Sequence, residues 1–173
     1  MVTHKLDRAI GEKLLALIRE AFDKVEREDG ISLHEADVID DYGGELARRK
    51  ARRLENETHW SAVKDEDIER YHWVYSYFDA KGFRYYLPAV MSWAIHGLSK
   101  SDFDSTSLGS LLYCLTPRKK VGDDLFEYHV SLLNQQQKDV VRLFLWWLVD
   151  SYHDEEAFDA LDRYWERTAD ERV

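Results

Sequence analysis

The chain reads as an all-α protein, a compact single-domain bundle of about six to seven helices with at most a minor strand pair. Three observations point there. Only two prolines and eight glycines occur in 173 residues, too few for the many turns of a β-architecture. Apolar residues recur every three or four positions over most of the length, the spacing that lines one face of a helix. Polar residues with capping geometry, Ser32 ahead of Glu35 and Asn134 ahead of Gln137, stand where such runs begin.

From Leu6 onward, Ile10, Leu14, Leu17, Ile18, Ala21, Phe22 and Val25 form one apolar stripe, so a long amphipathic helix is expected, ended by Gly30. The Ser32–Glu35 pair starts a second helix near Leu33 that runs towards Tyr42, where Gly43-Gly44 interrupts it. A third piece, from Glu45 to about Glu57, is nearly all charge and alanine. Its cations Arg48, Arg49, Lys50, Arg52 and Arg53 resemble an anion patch, although such faces are more often solvated or paired with nearby carboxylates. Thr58-His59-Trp60 breaks the pattern, and Asp65 to Asp79 resumes it as a core helix through Ile68, Tyr71, His72, Val74, Tyr75 and Phe78.

The stretch from Gly82 to Leu98 is the expected hub, because it carries five ring-bearing side chains, His96 included, and one arginine in a segment otherwise almost free of charge. Proline disfavours helix in the residue before it and suits a first turn, so the helix should start at about Pro88. Val90, Met91, Ala94, Ile95 and Leu98 then share one face, with Trp93 and His96 towards a flank and Gly97 at the end. A surface loop follows over Ser99–Ser107, with Asp104 or Ser107 capping a short helix through Leu112. Leu115 to Asp124 reads as another loop, and Phe126 to Leu133 as turn or helix, with Val130 to Leu133 the place for a small edge strand. Asn134 caps a helix from Gln135 to about Ser151 that is apolar nearly all round and should be central. Asp154 caps a final helix with the inner stripe Ala157, Phe158, Leu161, Tyr164 and Trp165.

The formal net charge of −10 argues against nucleic acid or an anionic membrane as the main partner. Residues 150–173 hold nine acids against three bases, and so supply minus six of that total. No apolar run approaches the length that spans a bilayer, and no leader pattern precedes the first helix, so a cytoplasmic location is the default. Cys114 is a single cysteine inside an apolar run, which rules out a disulfide framework within the chain and suggests a buried small hydrophobe.

Chemistry-bearing motifs are sparse. His34-Glu35-Ala36-Asp37 lacks the second histidine of a His-Glu-x-x-His site, and His153-Asp154-Glu155-Glu156 lacks further ligands, so no metal and no cofactor are expected. There is no Gly-x-Ser-x-Gly elbow, and Gly43-Gly44 lacks the spaced glycines and lysine of a phosphate loop. No catalytic residue is assigned.

Ile31-Ser32-Leu33-His34-Glu35-Ala36, Asp41-Tyr42-Gly43, His59-Trp60, the run from Asp79 through Gly82-Phe83-Arg84-Tyr85-Tyr86-Leu87-Pro88-Ala89, and Leu133-Asn134 with Gln137 together resemble a family of small bacterial proteins of uncharacterised function. The resemblance spans about Ile31 to Trp165. It implies a compact helical protein and brings no activity.

Two functional expectations follow. The first is a non-enzymatic, acidic protein-binding domain similar to bacterial immunity proteins, which neutralise a basic toxin domain by occlusion. Asp154, Glu155, Asp159 and Asp162 would steer the partner and Trp165, with Tyr152, would anchor it. The second is a small-ligand protein or enzyme with an anion site at the hub, built from Arg84, Tyr85, His59 and His96; a carboxylate partner on Arg84 would count against it.

Overall fold

In a computed structural model, residues 2–98, 100, 103–118 and 124–167 are described, with side chains from residue 8 onward. Among them are nine α-helices, two 3-10 turns and one π-helical turn, and no strand. The helices are α1 (Val2–Phe22), α2 (Leu33–Asp40), α3 (Glu45–Arg52), α4 (Asp65–Arg70), α5 (Ala80–Gly97), α6 (Thr106–Leu115), α7 (Leu125–Val130), α8 (Gln135–Tyr152) and α9 (Glu155–Ala160). The all-α class holds, with more and shorter helices than the six or seven expected.

The hub is α5, and 14 of its 18 residues are buried. It packs against α1, α6, α7 and the 3-10 turn Trp60–Ala62, while α1 lies along α8 on the other side. Its start corrects the sequence reading. The helix begins eight residues before Pro88, because the Asp79 carboxylate accepts the Gly82 N–H at 2.8 Å and caps it. Pro88 therefore sits inside the helix and offers no N–H to the Arg84 carbonyl one turn back. An interior proline costs about 3 kcal/mol. Burying Phe83, Tyr85, Tyr86 and Leu87, each at most 2% exposed, returns about 1.5–3 kcal/mol apiece and outweighs it.

The same Asp79 oxygen accepts the Ile31 N–H at 2.9 Å, so one carboxylate joins the connection after α1 to the start of α5. Here the chain crosses itself. A Cβ on Gly30 would lie 2.6 Å from the Gly82 nitrogen, and one on Gly82 would run into the Ile31 carbonyl oxygen. Gly30 is thus a crossing point and not the end of the first helix, which stops at Phe22.

Other elements differ from expectation for local reasons. The segment Asp65–Asp79 splits into α4 and a 3-10 turn over His72–Tyr77, which presses Val74 and Tyr75 inward. Residues expected to form turn or helix around Phe126 do form α7, and the edge-strand option is not realised. On α6 it is Asp104 that serves the amino end, accepting from the Thr106 N–H at 2.9 Å, while Ser107 is buried and donates to the Ile68 carbonyl. The capping box of α8 is complete, Asn134 accepting from Gln137 N–H and the Gln137 side chain accepting from Asn134 N–H. That helix buries one side only, and Leu143 on the other is 42% exposed. Asp154 caps α9 as expected, yet Phe158 points outward, because the following π turn rotates Leu161, Tyr164 and Trp165 into the core. Of the expected loops, Ser99, Ser101 and Asp102, and Lys119 to Asp123, lie outside the described residues.

His129 of α7 is fully buried, stacked on Phe83 with ring centroids 4.4 Å apart, and its Nε2 meets the Phe78 carbonyl at 3.1 Å. Its Nδ1 has no partner. Burial pushes the ring down to about 4 from an ordinary value of 6.5.

Two outcomes follow. Gly82→Ala should destabilise the protein by at least about 2 kcal/mol in urea unfolding, because the obstacle is backbone and has no rotamer to move. For His129 the folded-state value is depressed, so its contribution is intact above pH 6.5 and is lost as pH falls towards 4. Against His129→Gln, the wild type should lose about 3 kcal/mol of relative stability between pH 7 and pH 4; a pH-independent difference would show that the ring is not held neutral.

Candidate functional site

The four hub residues of the anion-site expectation are not gathered into one cavity. Arg84 is half-buried and its guanidinium meets the Glu28 carboxylate at 3.2 Å, the pairing that was to count against a ligand role. Its neighbour Lys81 bridges Glu28 at 2.8 Å and Asp29 at 2.6 Å, so the basic groups here are already matched by acids. Tyr85 is 1% exposed with Arg27 over its ring, and burial pushes its hydroxyl up to about 12. His59 contacts the Ser61 hydroxyl and the Asp23 carbonyl. His96 is exposed on a separate hollow of about 160 Å³ that also includes Arg19 and Asp65.

Three of the five cations on and after α3 are likewise paired. Glu35, 4% exposed, receives Arg48 Nε and Nη2 at 3.2 and 3.0 Å on one oxygen and Arg52 Nε at 2.8 Å on the other. Arg49 pairs with Glu45 at 2.7 Å. This arrangement clamps α3 to α2 and explains why Glu35 does not complete the capping box with Ser32. Glu35 and His34 also point to different partners, and among the described residues no three His, Cys, Asp or Glu side chains converge to hold a metal ion.

The acidic carboxy-terminal set lies on a groove. A hollow of about 700 Å³ runs between α6, the His72–Tyr77 turn and the start of α9, with Trp73, Leu112, Tyr113, Asp154 and Glu156 in its walls. It continues into a second of about 330 Å³ bordered by Tyr113, Arg118, Glu155, Glu156 and Asp159. Trp73 and Tyr113 are each 46% exposed, and the Arg118 guanidinium sits 3.6 Å from the Tyr113 ring centroid. Asp154 is committed to capping α9 and Asp159 to Arg163 at 2.7 Å. Neither Glu155 nor Glu156 has a salt-bridge partner among the described residues. Asp162 is exposed beyond the groove, in the π turn. Trp165 is a correction: it is 4% exposed and its Nε1 donates to the Leu115 carbonyl at 2.8 Å, so it holds α6 to the π turn and cannot anchor a partner. Tyr152 is partly buried against Trp147. Trp73 and Tyr113 are the exposed rings in the groove walls, and sequence did not single them out because Tyr113 sits in the apolar run around Cys114 and Trp73 between His72 and Val74 of the expected core helix.

Sequence also missed a carboxyl pair. Glu55 and Glu57, in the connection after α3, are hydrogen-bonded to one another. Glu55 Oε1 accepts the His34 N–H at 3.1 Å and meets His34 Nδ1 at 2.9 Å, and the Tyr86 hydroxyl donates to Glu57 at 3.4 Å. Burial, then the bond to Glu55, pushes Glu57 up to about 6. Burial also works to raise Glu55, but its bonds to Glu57 and His34 together hold it below the usual carboxylate range.

Cys114 borders the groove from inside, 3% exposed, with its thiol pushed up to about 12 by burial. A thiolate is the reactive form, so this group is inert at neutral pH. A thiol reagent at pH 8 should modify the native protein at least 100-fold more slowly than the protein in denaturant; rapid native labelling would contradict the burial.

A protein-family model described as "Family of unknown function (DUF6714)" matches residues 11–169. No curated protein and no solved structure matches the chain.

Proposed function

Since the chain belongs to the DUF6714 family of unknown function, whose membership brings no activity with it, we propose from the surface itself that the protein is a binding module for a basic polypeptide, seated in the groove between α6 and α9. The observation that carries this reading is the pairing of two unlike walls. Glu155 and Glu156 line one side, and Trp73 and Tyr113 expose their rings on the other. Aromatic side chains supply large contact area at low entropic cost, and carboxylates steer and orient a cationic partner. An arginine or lysine lying between them meets a carboxylate at its head and a ring along its stem.

The groove contains one model of such a contact, since Arg118 already stacks on Tyr113. A partner arginine can occupy the same kind of position beside Trp73. The net charge of −10 supports long-range attraction of a basic surface. In its specific form, the reading is an immunity protein that covers the working face of a basic toxin domain. Asp154 then acts through the helix start it caps and Asp159 through its tie to Arg163, and Glu155 and Glu156 meet the partner directly.

The test is co-purification of the tagged full chain from its host, identification of the partner, and titration of the purified pair. A single stoichiometric basic partner is expected. Its Kd should weaken at least tenfold in Glu155→Lys/Glu156→Lys, at least tenfold in Trp73→Ala, and progressively with salt. Helix content should be unchanged in both variants. A partner whose affinity ignores both substitutions binds elsewhere and sinks the proposal.

A further inference from the structure

The Glu55–Glu57 pair is unexplained by docking at the α6–α9 groove. It borders another hollow, of about 250 Å³, whose walls include Leu33, His34, Leu54, Glu57 and Val63. The Glu55 side chain is 4% exposed. Two ionised carboxylates cannot share a hydrogen bond, and two like charges in contact at a partly desolvated position push one of them to keep its proton. While Glu57 keeps its proton, that proton lies between Glu55 and Glu57.

The two members are held unequally. Glu55 Oε1 has the His34 N–H and ring nitrogen. Glu57 has the shared proton and a long bond from the Tyr86 hydroxyl, 3.4 Å, and is only half-buried. It is the member able to leave. Residues 53–59 contain no helix. Arg53 and Leu54 are held by backbone bonds to Lys50 and Ala51, and His59 by the Asp23 carbonyl. Between these ends the side-chain ties of Glu55 and Glu57 hold the segment.

We propose that residues 53–59 form a proton-held clamp: the shared proton closes the segment onto α2 and α5, and its loss releases Glu57 and opens the adjoining hollow.

The surroundings bear on the pair from every side. Arg27, in the connection after α1, attracts an ionised Glu57. Lys64 and Asp67, of opposite charge, stand in the wall of the hollow. His34 of α2 holds Glu55, with Tyr71 packed on its ring at 4.9 Å. From α5, Tyr85 and Tyr86 face the carboxyls with hydroxyls that burial keeps protonated. The direction of the switch follows from Glu57 being raised from 4.5 to about 6. The closed form is fully favoured below pH 4.5 and is lost as pH rises through about 6. The clamp shuts in acid and loosens at neutrality, and the proton leaves to solvent.

The test uses the full chain. Carboxyl-carbon NMR should show a glutamate with a midpoint near pH 6 that disappears in Glu57→Gln. Heteronuclear NOEs of Asn56, Glu57 and Thr58 should be those of rigid backbone at pH 5 and of a mobile loop at pH 7.5. In Glu57→Gln they should stay rigid at both, because the amide donates the same bond without titrating. In Glu55→Gln the Glu57 midpoint should return to the ordinary range, which tests the pair even if the first variant folds poorly. An ordinary midpoint in the wild type, or unchanged mobility between the two pH values, overturns the clamp. So does loosening that persists in Glu57→Gln, which would assign the opening to another group, His34 first.

Discussion

One carboxylate oxygen, Oδ1 of Asp79, organises the molecule. It accepts two backbone N–H groups 51 residues apart in sequence, Ile31 and Gly82, and so performs two tasks with one charge. It starts α5 well ahead of its proline, and it ties the connection after α1 against that start. A hydrogen bond to a charged acceptor is stronger than a neutral one, and here both donors are partly buried. The helix so started carries α1, with α8 behind it, and α6, α7 and the Trp60–Ala62 turn.

In the segment from α2 to Glu57, charged contacts are added to the core that Leu33 and Ala36 join. Glu35 receives two guanidiniums at opposite oxygens, so α2 and α3 move as one body. Glu55 returns the chain to the start of α2. Aromatic packing serves both ends of the chain, through Tyr75, Phe78 and Tyr86 on one side and Phe126, Tyr164 and Trp165 on the other. The acidic groove stands where α9 is pinned by the Asp154 cap and the π turn behind it by the Trp165 indole.

Capping was the most legible signal in the sequence. Ser32, Asn134 and Asp154 each stand where a helix begins, because a cap is a local event between residues three apart. The start of α5 was misplaced because proline is also a local signal, and its preference was overridden by burial that no window of sequence displays. The helical period put Trp165 on the inner stripe, where it lies, and only the expectation of a partner anchor set it at the surface. Phe158 is the stripe residue that failed, since the chain adds a π turn after it and shifts the register. The Glu55–Glu57 pair was illegible for a different reason. Its meaning depends on His34 and Tyr86, 21 and 29 residues away, meeting two carboxyls of an irregular segment. The acidic excess of the carboxy-terminal region was legible as charge, but the groove it borders came from the packing of α6 against α9.

The glycines differ in how freely the sequence around them can drift. At Gly97 the obstacle to a side chain is the ring of Phe103, so a larger residue at one position is compatible with a smaller one at the other, and the two can change together over generations. At Gly30 and Gly82 the nearest obstacles include backbone atoms of Arg27, Ile31 and Gly82 itself. No replacement elsewhere removes a carbonyl. Descendants of this chain can therefore remodel the helix ends and the groove, but the crossing admits no compensating mutation, and the two glycines are inherited as they stand or the fold is lost.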